Sequence, residues 1–266
     1  MLLKYQNNTG ELLMAEQAET WTPPLNFEEK LKKYLLPPQI YIKRLHAKEL
    51  RRGEKEIGLV PFLCHPEKSS LDIGANKGVY AYAMLPHSFD VYAFEPNPKM
   101  FDILTSWGKG KIKTSAAAIG NENGQFDLRI PRTAAGFSNQ GGSLKARSFD
   151  ADHKTVSVET KKLDDCGIDN IGFIKIDVEG FEMQVLEGAA NILKTQRPNL
   201  LVEIEEIHND KPLSDLIADV CNNYNYDCFA LRRGQLTPFR HLDAATHFKN
   251  RADRQNYIFN FIFLPA

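Results

Sequence analysis

Short apolar runs alternate with longer helical patterns along most of the chain after residue 69. In chain order, the runs and the helical patterns between them are 71–74, 79–85, 91–95, 99–107 and 112–119. Apolar strands that alternate with helices indicate βαβ units, in which the strands are parallel and helices cover both faces of the sheet. The pattern therefore predicts a doubly wound α/β fold.

The alternation resumes after an insertion from Gly120 to about Cys166. The insertion carries the pattern of a β-hairpin, with strands at 126–130 and 155–160, and a glycine-rich stretch at 136–143 that has the composition of a loop. Further elements are predicted as strands at 173–178, 200–204, 228–231 and 257–264, and as helices at 181–193 and 214–224.

The first 66 residues differ from the rest of the chain, because they are rich in charge and interrupted by prolines. Apolar residues at helical spacing predict one short amphipathic helix there: Phe27, Leu31, Tyr34 and Leu35. We therefore expect a helical N-terminal extension, 1–66, and one larger domain, 67–266.

Composition narrows the class of protein. The chain is 42% hydrophobic and 25% charged, as in globular proteins with a full core, and its formal net charge of −1 gives no general reason to expect a nucleic-acid partner. The four cysteines contain no C-x-x-C pair, which argues against a zinc site and a disulfide framework.

Residues 1–10 lack the apolar stretch of a signal peptide, and the apolar run at 257–265 is too short to span a membrane. We expect a cytoplasmic protein without a transmembrane segment.

The strongest local signal for a ligand is the turn that follows the first strand, Leu71-Asp72-Ile73-Gly74-Ala75-Asn76-Lys77-Gly78. Gly74 and Gly78 let the backbone turn sharply at the edge where doubly wound sheets bind ligands. Glu95 ends the next strand, about 20 residues on, where a carboxylate can accept both hydroxyls of a ribose. This pair suits S-adenosylmethionine and NAD alike, although Asn76 occupies the place of the second glycine in a dinucleotide fingerprint.

Three segments together resemble the FkbM-type methyltransferase family. They are the turn at 71–78, Phe94-Glu95-Pro96-Asn97-Pro98, and Ile174-Lys175-Ile176-Asp177-Val178-Glu179-Gly180-Phe181-Glu182, and the similarity extends over roughly 69–262. The resemblance implies a seven-stranded methyltransferase sheet, S-adenosyl-L-methionine as the cofactor, and hydroxyls of glycans or small metabolites as acceptors. Carried over residue by residue, it implies that the methionine end of the cofactor is lined by Asp72, Gly74, Ala75, Asn76 and Gly78. It further implies that Glu95 holds the ribose and that Ala118 and Ile119 flank the adenine.

Asp177 is the candidate catalytic residue and is also expected beside the cofactor, because it ends a strand at the ligand edge. A carboxylate there can accept the proton of an acceptor hydroxyl as a general base. The alternative is that Asp177 caps the following helix, and Glu179 and Glu182 in the expected first turn also suit the helix dipole.

Glu203 and His208 are secondary candidates for the base. They cluster with Glu205 and Glu206 at the end of the next strand, and His208 has a suitable intrinsic pKa. With Asp177 they raise the alternative of a metal site, but the prediction is that no metal is bound.

Three other functions stay open. A dehydrogenase would share the glycine turn and Glu95 but would have no use for the segment around Asp177. A non-catalytic domain would retain the cofactor site without turnover, and a nucleic-acid methyltransferase is disfavoured by the near-neutral charge. The acceptor and the oligomeric state are not predicted from the sequence.

Overall fold

The fold is taken from a computed structural model that describes residues 22–24, 35–133, 136–137, 153–209, 211–249, 251–253 and 256–266. The helix expected around Phe27, Leu31 and Tyr34 lies outside these residues, as does most of the glycine-rich stretch at 136–143. The described chain is a mixed α/β structure with helices on both faces of a central sheet.

The described strands are β1 (Ser69–Ile73), β2 (Val91–Phe94), β3 (Lys113–Ser115), β4 (Ala118–Gly120), β5 (Gly124–Thr133), β6 (Gly136–Phe137), β7 (His153–Lys162), β8 (Ile171–Ile176), β9 (Asn199–Glu203), β10 (Tyr226–Arg232), β11 (Gln235–Pro238) and β12 (Asn260–Pro265). The α-helices are α1 (Pro38–Arg52), α2 (Val60–Leu63), α3 (Val79–Met84), α4 (Pro98–Gly108), α5 (Glu182–Gly188), α6 (Ala190–Thr195), α7 (Leu213–Tyr224) and α8 (Ala244–His247).

The central sheet has the spatial order β11-β10-β12-β9-β8-β1-β2-β3. Neighbours from β9 to β3 are parallel, whereas β12 pairs antiparallel with both β9 and β10. The doubly wound α/β fold is thus confirmed. The chain leaves β1 toward β2 on one side and returns to β8 on the other, which places a topological switch point between β1 and β8.

The seven-strand count implied by the family resemblance is not confirmed, because the described residues place eight strands in this sheet. The additional strand is β11, which forms a hairpin with β10. Arg233 and Gly234 connect the two strands with φ of 50° and 78°, as in the two-residue turns that favour hairpins. The short segment 235–238 lacks an apolar alternation and ends in proline, so the pattern gave no signal for a strand.

The insertion contains the predicted hairpin, β5 paired antiparallel with β7. It belongs to a second sheet with the order β4-β7-β5-β6. The apolar run at 112–119 was predicted as one strand, but it divides into β3 in the central sheet and β4 in the second sheet. The run therefore connects the two sheets.

The helix predicted at 181–193 is also divided, into α5 and α6. The break lies at Ala189, whose φ of −109° and ψ of 13° depart from helical geometry. Asp164 caps the N-terminus of α6, because its carboxylate accepts hydrogen bonds from the backbone N–H groups of Asn191 and Ile192 at 2.9 Å each. A cap supplied from a distant part of the chain is not visible in local periodicity.

Two apolar layers enclose the central sheet. One contains α5, α6 and α7 through residues such as Val185, Leu193 and Ile217, and the other contains α3 and α4 through Met84 and Leu104. Helix α1 packs on this second layer, where the Gln39 side-chain amide donates to the Trp107 carbonyl at 2.7 Å. The described part of the N-terminal extension is thus packed against the sheet's own helices.

The four cysteine thiols are unpaired, and Cys228 is buried. Within the described ranges, no helix has the length and apolar character needed to cross a membrane.

Candidate functional site

The candidate site lies at the carboxyl edge of the parallel strands, next to the switch point. The loops that follow β1 and β8 are joined there, since the Asp177 N–H donates to the Ile73 carbonyl at 2.9 Å. The turn after β1 is also joined to β2, because the N–H groups of Gly74 and Ala75 both donate to the Phe94 carbonyl. The structure therefore brings the glycine turn, Glu95 and Asp177 to one edge, as the sequence predicted.

Gly74 makes the close approach between these loops sterically feasible. Its φ is +78°, and a Cβ at this position would lie 1.8 Å from the Asp177 carbonyl oxygen. Gly78 has a φ of +82°, and a Cβ there would lie 2.4 Å from Leu104 and 2.5 Å from Trp107. Both positions thus require glycine for conformation and for packing within the protein.

Glu95 is held from two sides beneath the turn. One carboxylate oxygen accepts the Asn76 N–H at 2.6 Å, and the other accepts the Asn97 N–H at 2.8 Å. Burial raises the pKa of Glu95 to about 7, although the two backbone donors act in the opposite direction. Each oxygen retains further acceptor capacity. The arrangement therefore fits a vicinal diol such as a ribose.

Asp72 has a contact within the protein that the sequence did not predict. Its side chain is buried and accepts the Ala81 N–H at 2.8 Å, in the first turn of α3. Burial raises the pKa of Asp72 to about 7, and the Lys175 charge opposes this rise. Asp72 therefore anchors the helix that follows the glycine turn, and its expected contact with a cofactor stays a prediction.

Asp177 lies beside the buried cation of Lys175. The Asp177 Oδ2 is 3.8 Å from the Lys175 Nζ, and the two side chains are 34% and 1% exposed. Neighbouring protein atoms reduce the solvation of the Asp177 carboxylate and so raise its pKa, while the charge of Lys175 lowers it. Burial acts to lower the pKa of Lys175, but nearby carboxylates outweigh it and the pKa is raised. The structure thus combines an accessible carboxylate with an inaccessible counter-charge.

Asp177 does not cap the following helix, because α5 begins at Glu182 with Phe181 at the N-cap position and without a side-chain cap hydrogen bond. Glu182 is buried, and its Oε1 accepts the N–H groups of Gly180 and Val178 at 2.8 and 3.3 Å. Burial raises the pKa of Glu182 to about 7. Glu179, expected in the first helical turn, lies before the helix with a φ of +53°. Glu182 is therefore the side chain that fixes this loop.

Glu203 and His208 take different positions around Asp177. Burial and then the Asp177 charge raise the pKa of Glu203 to about 9. His208 Nε2 lies 3.6 Å from the Glu205 carboxylate, and the Tyr257 hydroxyl donates to the same carboxylate at 2.6 Å. A Cβ on Gly180 would lie 2.9 Å from the His208 Cβ. His208 is thus packed under the loop that carries Asp177.

Ala118 and Ile119, the residues expected to flank an adenine, are both buried in β4. They are 3% and 2% exposed, and they belong to two different apolar clusters. Their contact with a cofactor stays a prediction.

Two residues of the site were missed by the sequence reasoning. The available signal for Lys175 was a lysine inside an otherwise apolar strand. Glu54 of the N-terminal extension accepts a hydrogen bond from the Tyr80 hydroxyl at 2.8 Å and acts electrostatically on Asp177. Nothing in the local sequence indicated that Glu54 reaches the sheet edge. Among the residues that the structure describes, no group of three or more metal-ligating side chains is arranged around a common point.

Comparison with known proteins identifies relatives of this arrangement. A family model described as "Methyltransferase FkbM domain" matches residues 72–228. The hexuronic acid methyltransferase AglP of Haloferax volcanii is 28% identical over 154 residues, which cover 56% of this chain and 60% of that protein. The 2-O-methyltransferase NoeI of Sinorhizobium fredii is 28% identical over 160 residues, which cover 52% of this chain and 64% of that protein. The chain thus matches less than two thirds of either relative.

Solved structures of methyltransferases are also similar in outline. The methyltransferase FkbM of Methylobacillus flagellatus aligns with a TM-score of 0.49 at 16% identity, over 75% of this chain and 44% of that one. A TehB-like S-adenosylmethionine-dependent methyltransferase of Corynebacterium glutamicum aligns with a TM-score of 0.45 at 11% identity, over 86% of this chain and 98% of that one.

Proposed function

Since the chain belongs to the FkbM methyltransferase family, we propose that it transfers a methyl group from S-adenosyl-L-methionine to a hydroxyl of a glycan or small-molecule metabolite. The observation that carries the proposal is the meeting of Gly74, Glu95 and Asp177 at one sheet edge. The printed activities of the two relatives, on a hexuronic acid and at a 2-O position, support a sugar hydroxyl as the acceptor.

The cofactor assignment rests on the chemistry of the turn. Glu95 would accept the ribose hydroxyls with the lone pairs that its two backbone donors leave available. Gly74, Ala75, Asn76 and Gly78 would form the wall at the methionine end, with Asp72 supporting them from below. Ala118 and Ile119 remain the proposed neighbours of the adenine. When bound, S-adenosylmethionine supplies an electrophilic methyl group on a positively charged sulfur.

Asp177 is the proposed general base. A sugar hydroxyl is a weak nucleophile until its proton leaves, and a positioned carboxylate that accepts this proton contributes about 10²- to 10⁴-fold to the rate. The carboxylate of Asp177 is accessible enough to meet an acceptor, whereas Lys175 beside it is buried. Lys175 therefore balances the charge of Asp177 without competing for the acceptor. Glu203 and His208 are the alternative bases, although Glu205 and Gly180 already hold His208 in the loop packing.

The proposal is tested by incubating the protein with S-adenosylmethionine that carries a tritiated methyl group and a panel of hexuronic acids and oligosaccharides. The measurement is the amount of labelled methyl group transferred to each acceptor. Asp177→Asn should lower kcat by about 10²-fold or more while the affinity for S-adenosylmethionine changes far less. Asp169→Asn is the matched control, because it makes the same chemical change at an exposed position just before β8.

Labelled product that depends on Asp177 and not on Asp169 supports the assignment. Full activity of Asp177→Asn would contradict the role of Asp177 as the base. Absence of transfer to every hydroxylated acceptor, by a folded protein that binds the cofactor, would contradict the proposed acceptor class.

A further inference from the structure

The N-terminal extension supplies a carboxylate to the catalytic edge. Glu54 follows α1 and lies outside the segment 72–228 that matches the family. Its Oε2 accepts hydrogen bonds from the Tyr80 hydroxyl at 2.8 Å and from the Asn260 side-chain amide at 3.2 Å. Its own N–H donates to the Glu49 carboxylate at 2.9 Å. Glu54 is therefore fixed to both α3 and β12 of the larger domain.

Tyr80 connects Glu54 with the pair formed by Lys175 and Asp177. The Lys175 Nζ lies 5.2 Å from the centroid of the Tyr80 ring and 3.8 Å from the Asp177 Oδ2. The cation of Lys175 is thus placed among the carboxylates of Asp177, Glu203 and Glu54, all of which act on its charge. Asp72 is a fourth carboxyl group that interacts with this one positive charge.

We infer that Glu54 is a positioning residue for methyl transfer, which keeps the Asp177 carboxylate basic because its negative charge opposes the effect of Lys175. The inference rests on the proposed role of Asp177 as the general base. It assigns a part of the catalytic electrostatics to a segment outside the matched family domain.

The physical reason is a balance of opposite charges. A lysine 3.8 Å away stabilises the ionised form of Asp177 and lowers its pKa, which makes it a weaker proton acceptor. The negative charge of Glu54 acts in the opposite direction on Asp177 and also on Glu203. Removal of that charge removes a repulsion that disfavours the ionised form of Asp177, so its pKa must fall.

Other groups also act on Asp177, and several of them, including Glu203 and Tyr80, are themselves influenced by Glu54. The carboxyl groups are Asp72, Glu95, Glu182, Glu203 and Glu205, and the remaining partners are Lys175 and Tyr80. A comparison of variants at residue 54 therefore measures the total effect of that charge on Asp177, including the part that passes through Glu203 and Tyr80.

The pKa of Asp177 can be measured without an acceptor. Carbon-13 NMR of protein labelled at the aspartate carboxyl carbons gives a titration curve for each aspartate, and Asp177→Asn identifies the signal of interest. Glu54→Gln should lower the pKa of Asp177, whereas Glu54→Asp, which keeps the charge, should restore most of the wild-type value. Glu67→Gln is the control, since it makes the same substitution at an exposed position just before β1. Glu54→Ala removes the same charge and replaces Glu54→Gln if that variant does not fold.

An unchanged or raised pKa of Asp177 in a folded Glu54→Gln or Glu54→Ala protein would overturn the inference. A fall that Glu54→Asp does not reverse would also overturn it, because packing would then be the cause. Where an acceptor has been found, the acid limb of the kcat profile should move to lower pH in Glu54→Gln. Failure of the methyltransferase proposal is distinguishable, since it would show as absent methyl transfer by the wild-type protein.

Discussion

Replacement of Gly74 by alanine should separate conformational strain from steric conflict at the heart of the site. An alanine at a φ of +78° adopts a left-handed conformation that costs about 1–2 kcal/mol relative to glycine. Part of that cost is offset, because alanine also restricts the unfolded chain by about 0.4–1 kcal/mol. The conformational effect alone is thus a loss of about 0–1.6 kcal/mol.

The steric effect at Gly74 is larger. The added Cβ would lie 1.8 Å from the Asp177 carbonyl oxygen, whereas ordinary contacts begin near 3.4 Å. The loop after β8 must therefore move by more than an ångström, which strains the hydrogen bond from the Asp177 N–H to Ile73. Overpacking of this kind costs about 1–3 kcal/mol in addition to the conformational effect.

Gly110 provides a matched control for this substitution. Its φ is +73°, and a Cβ there would meet nothing within 4 Å. Urea unfolding of Gly110→Ala should show only the small conformational loss, and Gly74→Ala should lose about 2 kcal/mol more. Calorimetry should also show weaker binding of S-adenosylmethionine to Gly74→Ala than to Gly110→Ala. Equal stabilities and equal affinities of the two variants would refute the reasoning.

Two further substitutions test how the loops of the site are held. Burial raises the pKa of Glu182 to about 7, so the native state binds more protons than the unfolded state between about pH 4.5 and 7, and stability falls as the pH rises through that window. This fall in the free energy of unfolding is at most about 1.4 kcal/mol per pH unit for one group, and Glu182→Gln should make it less steep. Glu67→Gln should leave the slope of stability against pH, measured by urea unfolding, unchanged. Equal slopes in the wild-type protein and both variants would contradict the raised pKa of Glu182. Trp107→Phe removes the indole N–H that donates to the Lys77 carbonyl at 2.7 Å. The variant should lose about 1–3 kcal/mol of stability in urea unfolding and should bind the cofactor more weakly. A variant that matches the wild-type protein in both measurements would show that this hydrogen bond does not support the glycine turn.

The glycine turn and Glu95 were predictable from the sequence because their signals are local. A strand that runs into glycines, followed by an acid at the end of the next strand, fixes positions along the chain, and parallel strands then bring both to one edge. The structure confirms that Asp177 joins them there. The steric need for glycine at position 74 was not predictable, since it arises from the carbonyl of a residue about a hundred positions away.

The elements that were predicted incorrectly depend on distant partners. The long helix divides at Ala189 because Asp164 caps its second half, and the run at 112–119 divides because β4 pairs with β7. Both features satisfy hydrogen bonds that periodicity does not encode. Glu54 is a similar case, because only the folded chain shows that the extension reaches Tyr80 and Asn260.

Calorimetric titration of the purified protein with S-adenosylmethionine, S-adenosylhomocysteine and NAD is the most direct test of the central claim. The first two should bind, NAD should not bind, and Glu95→Ala should lose most of the affinity for S-adenosylmethionine. Binding of NAD, or no binding of S-adenosylmethionine by the folded wild-type protein, would contradict the assignment of this chain as a methyltransferase that uses S-adenosylmethionine.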